Sequence, residues 1–359
     1  MKKETEGYFV IKFKDKKELR NNELIYLISS MGQWYTVTFK YKNHTYTLKD
    51  SLKLLPFKLK EIGQAFKTKH QKLDMEYEGE RYAGCEITPE ELEYIKNDVL
   101  VLKEALNIMF EDGHNKLTIG ACCLAEYRKM IGSYDWGIFF PRLDTIDLGV
   151  NDYGSSNADE YIRKSYHGGW CYLVKGASGV RYNNGTTADV NSLYPSMMHS
   201  MSGNYYPVGK PIFWKGSEIP KQALRHNRYY FIRIRCRFYL KHGKLPFIQI
   251  KNDHRYRSTE MLETSDVYNR KDGKYYSQYY DRDGNLHNTI VELTLTKTDY
   301  ILLREHYDLY DFEILDGCWF FAEKGIFDEY IDKYANIKKN NKGAKRTEAK
   351  LFLNNLYGK

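Results

Sequence analysis

The chain has 359 residues, enough for about two domains at roughly 150 residues each. It is 42% hydrophobic and 28% charged, with 55 Lys and Arg against 47 Asp and Glu and a net charge of +8. It has no run near the ~20 apolar residues of a membrane span, no apolar segment behind Met1-Lys2-Lys3-Glu4-Thr5-Glu6 and no C-x-x-C pair among its six cysteines; membrane, secreted and zinc-finger classes are excluded, and a reducing, cytoplasmic setting is expected.

Residues 8–48 alternate apolar and polar side chains, as in Tyr8-Phe9-Val10-Ile11 and Trp34-Tyr35-Thr36-Val37-Thr38-Phe39, the period of strands. The clearest predicted helix is 89–110. Thr88 and Glu91 make a capping box, Pro89 takes the first helical position, and Leu92, Ile95, Val99, Leu102, Leu106 and Met109 form an apolar stripe. A Gly- and Asp-rich stretch, 132–160, reads as a linker. Residues 171–190 read as strands turned at Asn183-Asn184-Gly185. From 229 to 295, short β-like runs alternate with turns at Asp272-Gly273 and Asp283-Gly284. Two helical patterns follow, near 297–306 and 325–357. This mixture of strands and helices predicts an α/β or α+β fold in at least two lobes.

Composition carries two biases. Between Lys333 and Lys350 there are seven basic residues against one acid, Glu348, so much of the surplus charge sits near the C-terminus. The chain also holds 33 tyrosines. Cations suit phosphates and aromatic rings suit bases, although tyrosine also serves as amphipathic core filler.

Three groups of residues carry chemistry. Tyr94 and Asp98 stand one turn apart on the predicted helix, on a face that includes Val101 and Ala105. A carboxylate in such apolar company calls for a cation or a metal. The second group is Thr187-Ala188-Asp189-Val190-Asn191-Ser192-Leu193-Tyr194-Pro195-Ser196, where a β-rich run ends in an aspartate and a helix start follows. Magnesium takes one or two carboxylates plus substrate phosphates, and free N–H groups at a helix start suit phosphate oxygens. The third is the C-terminal helix. There Arg346, Lys350, Asn354 and Tyr357 share one side, while Ala349, Phe352, Leu353 and Leu356 take the adjoining one.

The ten-residue string at Asp189 resembles motif A of family B DNA polymerases, D-x-x-S-L-Y-P-S. The string Lys350-x-x-x-Asn354-Asn355-x-Tyr357-Gly358 resembles motif B, with Asn355 where serine is usual. Tyr166-His167-Gly168-Gly169 resembles the Y-x-G-G element before motif A, and Tyr94-Ile95-Lys96-Asn97-Asp98 the third exonuclease motif. The long interval between motifs A and B is similar to that of the protein-primed branch found in phages and linear plasmids. There an insertion docks the terminal protein.

The resemblance implies a partial RNase H-like 3′–5′ exonuclease domain at 1–130 and a linker at 131–165. A palm segment at 166–200, a terminal-protein-docking insertion at 201–325 and fingers at 326–359 follow. It implies that Asp189 and the Val190 carbonyl bind metal and that Tyr194 excludes a 2′-hydroxyl. Lys338, Arg346 and Lys350 hold the triphosphate, and Asn354 and Tyr357 meet the nascent base pair. In the exonuclease part, Asp98 binds metal, Tyr94 orients water and Lys72 is the matching lysine. Ser51 and Leu52 contact single-stranded DNA, and Tyr166, Gly168 and Gly169 contact DNA. Expected ligands are Mg²⁺ (or Mn²⁺), primer-template DNA, dNTP and a terminal protein.

Motif C, Y-x-D-T-D, is not found after motif B. Leu143-Asp144-Thr145-Ile146-Asp147 echoes it but precedes motif A and reads as linker. The first two acidic exonuclease motifs are also not found. The expectation is a fragment with an incomplete two-metal site, inactive alone unless a second polypeptide supplies motif C. The alternative is a remnant that binds DNA, nucleotide or terminal protein without catalysis. A nuclease-only reading is opposed by the missing acidic motifs.

Overall fold

The computed structural model describes residues 10–11, 18–29, 31–76, 82–174, 176–251 and 253–357. The N-terminal residues, with Tyr8 and Phe9 of the first predicted strand, and Gly358 and Lys359 lie outside them. The chain divides into two compact units, one of Met1–Gly132, Ser192–Met198 and Phe327–Lys359, the other of Ser133–Asn191 and His199–Ile326.

The first unit opens with a four-stranded sheet in the order β1 (Val10–Ile11), β2 (Glu23–Ile28), β3 (Trp34–Tyr41), β4 (His44–Lys49). The alternation read from the sequence becomes an antiparallel β2–β3–β4 meander. Its β3–β4 hairpin turns on two residues, Lys42 and Asn43, both at positive φ, the backbone that matches strand twist in a two-residue turn. Helix α1 (Leu59–Phe66) packs on α2 (Pro89–Glu111). The capping box of α2 forms as predicted: Glu91 N–H donates to Thr88 Oγ1 at 3.2 Å and Thr88 N–H to Glu91 Oε2 at 2.8 Å.

The apolar stripe of α2 behaves otherwise than predicted. Val101, Ala105 and Met109 are buried, whereas Leu92, Ile95 and Val99 are exposed. The apolar residues of α2 wrap around more than one face, and periodicity does not say which of those faces receives a neighbour.

Helix α3 (Ile119–Ile131) packs against α10 (Ala344–Asn355), which pairs with α9 (Asp328–Asn340). The single helix predicted over 325–357 is therefore two. They part at Gly343, whose φ of +65° favours glycine and whose absent Cβ would meet the Ala65 carbonyl at 3.3 Å. Tyrosine builds much of this core. Tyr330 donates its hydroxyl to the Phe352 carbonyl at 3.1 Å, Tyr334 stacks on Phe352 with centroids 4.7 Å apart, and Tyr127 meets Tyr330 edge-on.

The second unit centres on an antiparallel sheet in the order β11 (Val291–Thr296), β6 (Arg228–Leu240), β12 (Tyr307–Glu323), β5 (Tyr206–Lys215). Helix α8 (Lys297–His306) starts on a capping box of Thr296 and Asp299 and packs on this sheet. Together they bury Ile232, Ile234, Phe238, Leu295, Leu303 and Tyr307. On a separate cluster Tyr161, Phe231, Cys318 and Phe320 pack together. There Asp316, only 2% exposed, accepts from the Tyr161 hydroxyl at 2.8 Å and pairs with the Arg233 guanidinium, which also reaches Glu292 at 2.9 Å.

Two sequence expectations differ here. The predicted linker is folded, carrying α4 (Ser133–Phe139), α5 (Val150–Tyr153) and α6 (Ala158–Arg163). Buried Tyr161 and Ala158 tie α6 down, so Gly and Asp mark turns between short helices rather than a tether. Residues 171–190 form no strand among those described; their apolar side chains find no partner strand and Leu173, Val174, Val180 and Val190 stay exposed. Helix α7 (Leu193–Met198) follows Asp189, as the helix start in the sequence suggested, and belongs to the first unit.

Candidate active site

On α2, Tyr94 and Asp98 project from successive turns toward Lys72. The Lys72 Nζ stands 2.5 Å from the Tyr94 hydroxyl and 2.9 and 3.2 Å from the two Asp98 oxygens. Hydrogen bonds to Tyr94 and then Asp98 hold the Lys72 ammonium above its ordinary value of 10.5, against partial desolvation. Tyr94 and Asp98, read together in the sequence, and Lys72, singled out apart from them, are thus in contact. Asp98 is half-buried and neutralised by Lys72 rather than lying in wholly apolar surroundings.

A second cluster lies on α7, α9 and α10. Helix α10 buries Glu348, Ala349, Leu351, Phe352, Leu353 and Leu356 and exposes Arg346, Lys350, Asn354 and Tyr357, the division expected from 100° per residue. The Tyr357 ring stacks on that of Tyr194 with centroids 4.1 Å apart and planes 15° apart. Arg346 donates to the Lys338 carbonyl at 2.6 Å, and Lys338 Nζ donates to Ser192 Oγ at 3.3 Å. Two cations on α10, one on α9 and two aromatic rings therefore gather around one helix face. That combination can hold a polyanion that carries a ring.

In the second unit, Asp189 and Val190 are exposed on irregular backbone. The Asp189 carboxylate has no ion pair or hydrogen bond among the described residues. Tyr166 is exposed with the Lys251 ammonium 5.5 Å over its ring, Gly168 N–H donates to Gln249 Oε1 at 3.2 Å, and Gly169 is open to solvent. Next to them a cavity of about 490 Å³ is lined by Arg163, Lys164, Tyr166, His167 and Lys251. Burial pushes the His167 imidazole below its usual value, and its Nε2 is buried without a partner among the described residues.

Ser51 and Leu52 sit on a 3₁₀ turn capped by Asp50, with Leu52 exposed. The motif C echo is a local turn: Arg142 chelates Asp144 at 3.1 and 2.6 Å, which holds that carboxyl below its usual range. Among the described residues no three His, Cys, Asp or Glu side chains gather in a way that could hold a metal ion. Asp189 offers one hard oxygen donor, which suits Mg²⁺ completed by substrate phosphates.

The sequence matches the family described as DNA polymerase type B, organellar and viral, over residues 3–84 and 74–359.

The chain belongs to that family of polymerases.

The resemblance read from motifs A and B, to a protein-primed phage family B polymerase, is borne out by its relatives. It is 38% identical over 339 residues to the DNA polymerase of Bacillus phage M2, covering 93% of this chain and 52% of that protein. It is 36% identical to that of Bacillus phage phi29, over the same shares, and 30% identical to that of Streptococcus phage Cp-1, covering 99% of this chain and 56% of the relative. The solved structure of phi29 DNA polymerase complexed with primer-template DNA and incoming nucleotide superposes with a TM-score of 0.76 at 34% identity, covering 97% of this chain and 55% of that one. The chain spans about half the length of these relatives.

Residue-by-residue reading of the sequence missed three features of this polymerase chain. Ser192 adopts φ of +52° inside the motif A string and meets Lys338; its neighbours hint at function but nothing in a serine announces positive φ. Lys251 and Gln249, some eighty residues beyond the Y-x-G-G element, complete its surroundings through the fold alone. His114 Nε2 lies 2.8 Å from Glu348 Oε1 behind α10.

Proposed function

We propose that this chain carries the nucleotide-holding and primer-end-handling part of a protein-primed DNA polymerase, which adds dNMPs to a primer 3′-hydroxyl. The observation that carries the reading is the exposed face of α10, with Arg346 and Lys350 beside the stacked Tyr194 and Tyr357 rings. Lys350 and Arg346, with Lys338 behind them, neutralise the triphosphate and orient its α-phosphate. Tyr194 is assigned to exclusion of a 2′-hydroxyl, and Asn354 and Tyr357 to the base pair. Asp189 and the Val190 carbonyl would hold one Mg²⁺, which when bound would offset charge that develops on a transferred phosphoryl group. Attack by the primer oxygen forms the new ester and releases pyrophosphate.

Lys72, Tyr94 and Asp98 are assigned to hydrolysis of a frayed primer end. Tyr166, Gly168 and Gly169, with Lys251 nearby, are assigned to the DNA backbone, and Ser51 and Leu52 to single-stranded DNA. The insertion at 201–325 is assigned to a terminal protein, and the setting to the cytoplasm of a bacterial host.

A second reading, in which the chain binds DNA, nucleotide or terminal protein without catalysis, is favoured by the absence, among the described residues, of any group of three His, Cys, Asp or Glu side chains that could hold a metal ion. A second polypeptide that supplies motif C would separate the two. The experiment is Mg²⁺-dependent dNTP incorporation on a primed template, with Asp189→Ala and Lys350→Ala, alongside direct binding of a fluorescent dNTP. Extension by wild type alone supports polymerisation within this chain. Binding of dNTP lost in Lys350→Ala, without extension, supports the binding reading. Absence of both in wild type overturns the assignment of α10.

A further inference from the structure

Between β6 and β11 the second unit carries two short hairpins, β7 (Val267–Asn269) with β8 (Lys274–Tyr276) and β9 (Gln278–Tyr280) with β10 (Leu286–Asn288). Each is closed by an Asp-Gly turn whose glycine takes positive φ, Gly273 at +72° and Gly284 at +82°. Asp272 and Asp281 are hydrogen-bonded within the hairpins, while Asp283 of the second turn is exposed. Asp272 accepts from the Tyr276 hydroxyl at 2.6 Å, and Asp281 pairs with His287 at 2.7 Å and accepts from the Asn285 backbone.

Aromatic rings and cations stand outward on this face. Tyr268 and Tyr275 stand directly opposite on β7 and β8, with centroids 5.1 Å apart, both exposed; Tyr280 on the second hairpin is 72% exposed. A cavity of about 390 Å³ lies against the tyrosine pair, with Arg257 and Arg270 in its wall. Neither guanidinium has an ion pair or hydrogen bond among the described residues. Glu260 and Asp266 also line it. Asp266 accepts from the Tyr239 hydroxyl at 2.9 Å and from Thr289, while Glu260 in the wall and Glu263 within electrostatic reach of Tyr275 compete with a bound anion. Arg255, clamped by Asp253 at 2.6 Å, lies 5.0 Å from the Tyr279 ring and so ties the second hairpin to the same wall.

We propose that this face is a binding platform for single-stranded DNA, with bases stacking on Tyr268 and Tyr275 and phosphates held by Arg257 and Arg270. Rings and free cations within one cavity suit a strand that presents both, and a duplex hides its base faces. That the strand is DNA rests on the polymerase reading above.

The test is fluorescence anisotropy of a short labelled oligothymidylate titrated with the purified chain across a salt series. Comparison is with the double variants Tyr268→Ala/Tyr275→Ala and Arg257→Gln/Arg270→Gln, circular dichroism confirming the fold. The tyrosine variant is expected to lose roughly tenfold or more in affinity. The arginine variant is expected to lose affinity and to flatten the salt slope by about 0.7 per phosphate contact. Fluorescent dNTP binding by both variants should match wild type, because α10 is untouched. Oligonucleotide binding that persists unchanged in both variants, or is absent from wild type, overturns the proposal and leaves the tyrosine face to a protein partner. Failure of dNTP binding alone overturns the polymerase assignment and leaves this platform standing.

Discussion

Lys72 illustrates how a single side chain responds to its partners. Tyr94 and Asp98 raise its folded value above 10.5, so its contribution to stability is complete below that pH and is lost as pH rises through the folded value. His167 runs the other way. Burial, with Lys251 adding in the same sense, lowers its imidazole below 6.5, so the unfolded chain takes up the proton first. Stability is full above 6.5 and falls as the pH drops below it. Melting temperatures on either side of pH 6.5 should show a drop in wild type that shrinks in His167→Gln; an equal drop in both would remove His167 as its source. Gly317 offers a steric counterpart. A Cβ there would lie 2.2 Å from the Trp214 ring and 2.6 Å from the Phe231 carbonyl. Gly317→Ala is expected to destabilise the second unit by about 1–3 kcal/mol, as overpacking does, measured by denaturant unfolding; an unchanged midpoint would show that Trp214 moves aside freely.

Among the elements, α10 sets the candidate nucleotide face by what it buries. Glu348 sits on its packed side, opposite Arg346 and Lys350, and the His114 Nε2 approaches its Oε1 to 2.8 Å while the ring packs 4.4 Å from Phe352. The contact is out of line for a hydrogen bond, since that oxygen has no hydrogen-bond partner among the described residues, so attraction depends on charge. Removing one partner of such a pair leaves the other buried and unpaired. His114→Leu or Glu348→Leu alone is expected to cost about 3–5 kcal/mol, whereas the double change to leucine should be close to neutral. A double-mutant cycle on unfolding free energy measures this; additive losses would mean the two side chains do not act as a pair.

The element scale also shows how far the sequence was legible. Helix α2, its Thr88–Glu91 box and the division of α10 into packed and exposed faces follow from spacing and capping chemistry, which are local. The exposed half of the α2 stripe, the folded 133–163 stretch and the irregular 171–190 stretch were not legible. In each the outcome turned on whether a distant segment arrives to cover an apolar side chain. The contact of Lys72 with Tyr94 and Asp98 lies between these cases: α2 aligns two of the residues, and only the fold delivers the third.

At the scale of the whole molecule, the cysteines report on the two units. Cys122 and Cys123 are buried in the first and Cys236 and Cys318 in the second, while Cys171 is exposed and Cys85 half-buried. Burial pushes the Cys123 and Cys236 thiols up to about 12 and raises Cys122 and Cys318 as well. A thiol reagent should therefore modify Cys171 first and Cys85 next in the native chain, and reach the other four only on unfolding. Mass spectrometry along a denaturant series would show whether the two buried pairs react together or in sequence. Early modification of Cys236 would contradict the packing of the β6 core. Among the described residues no helix is long and apolar enough to cross a membrane.

The sequence by itself determined the family, because motifs A and B are contiguous strings whose chemistry requires those residue types at fixed spacing. It determined helix α2 for the same reason, since the hydrogen bonds of its Thr88–Glu91 box close within four residues. The tertiary structure alone decided which apolar faces are covered, that Lys72 neutralises Asp98, and that His114 backs α10. It also decided that Tyr268, Tyr275, Arg257 and Arg270 share one cavity. Those outcomes depend on contacts between residues far apart in the chain, and burial, charge pairing and desolvation have no local signature.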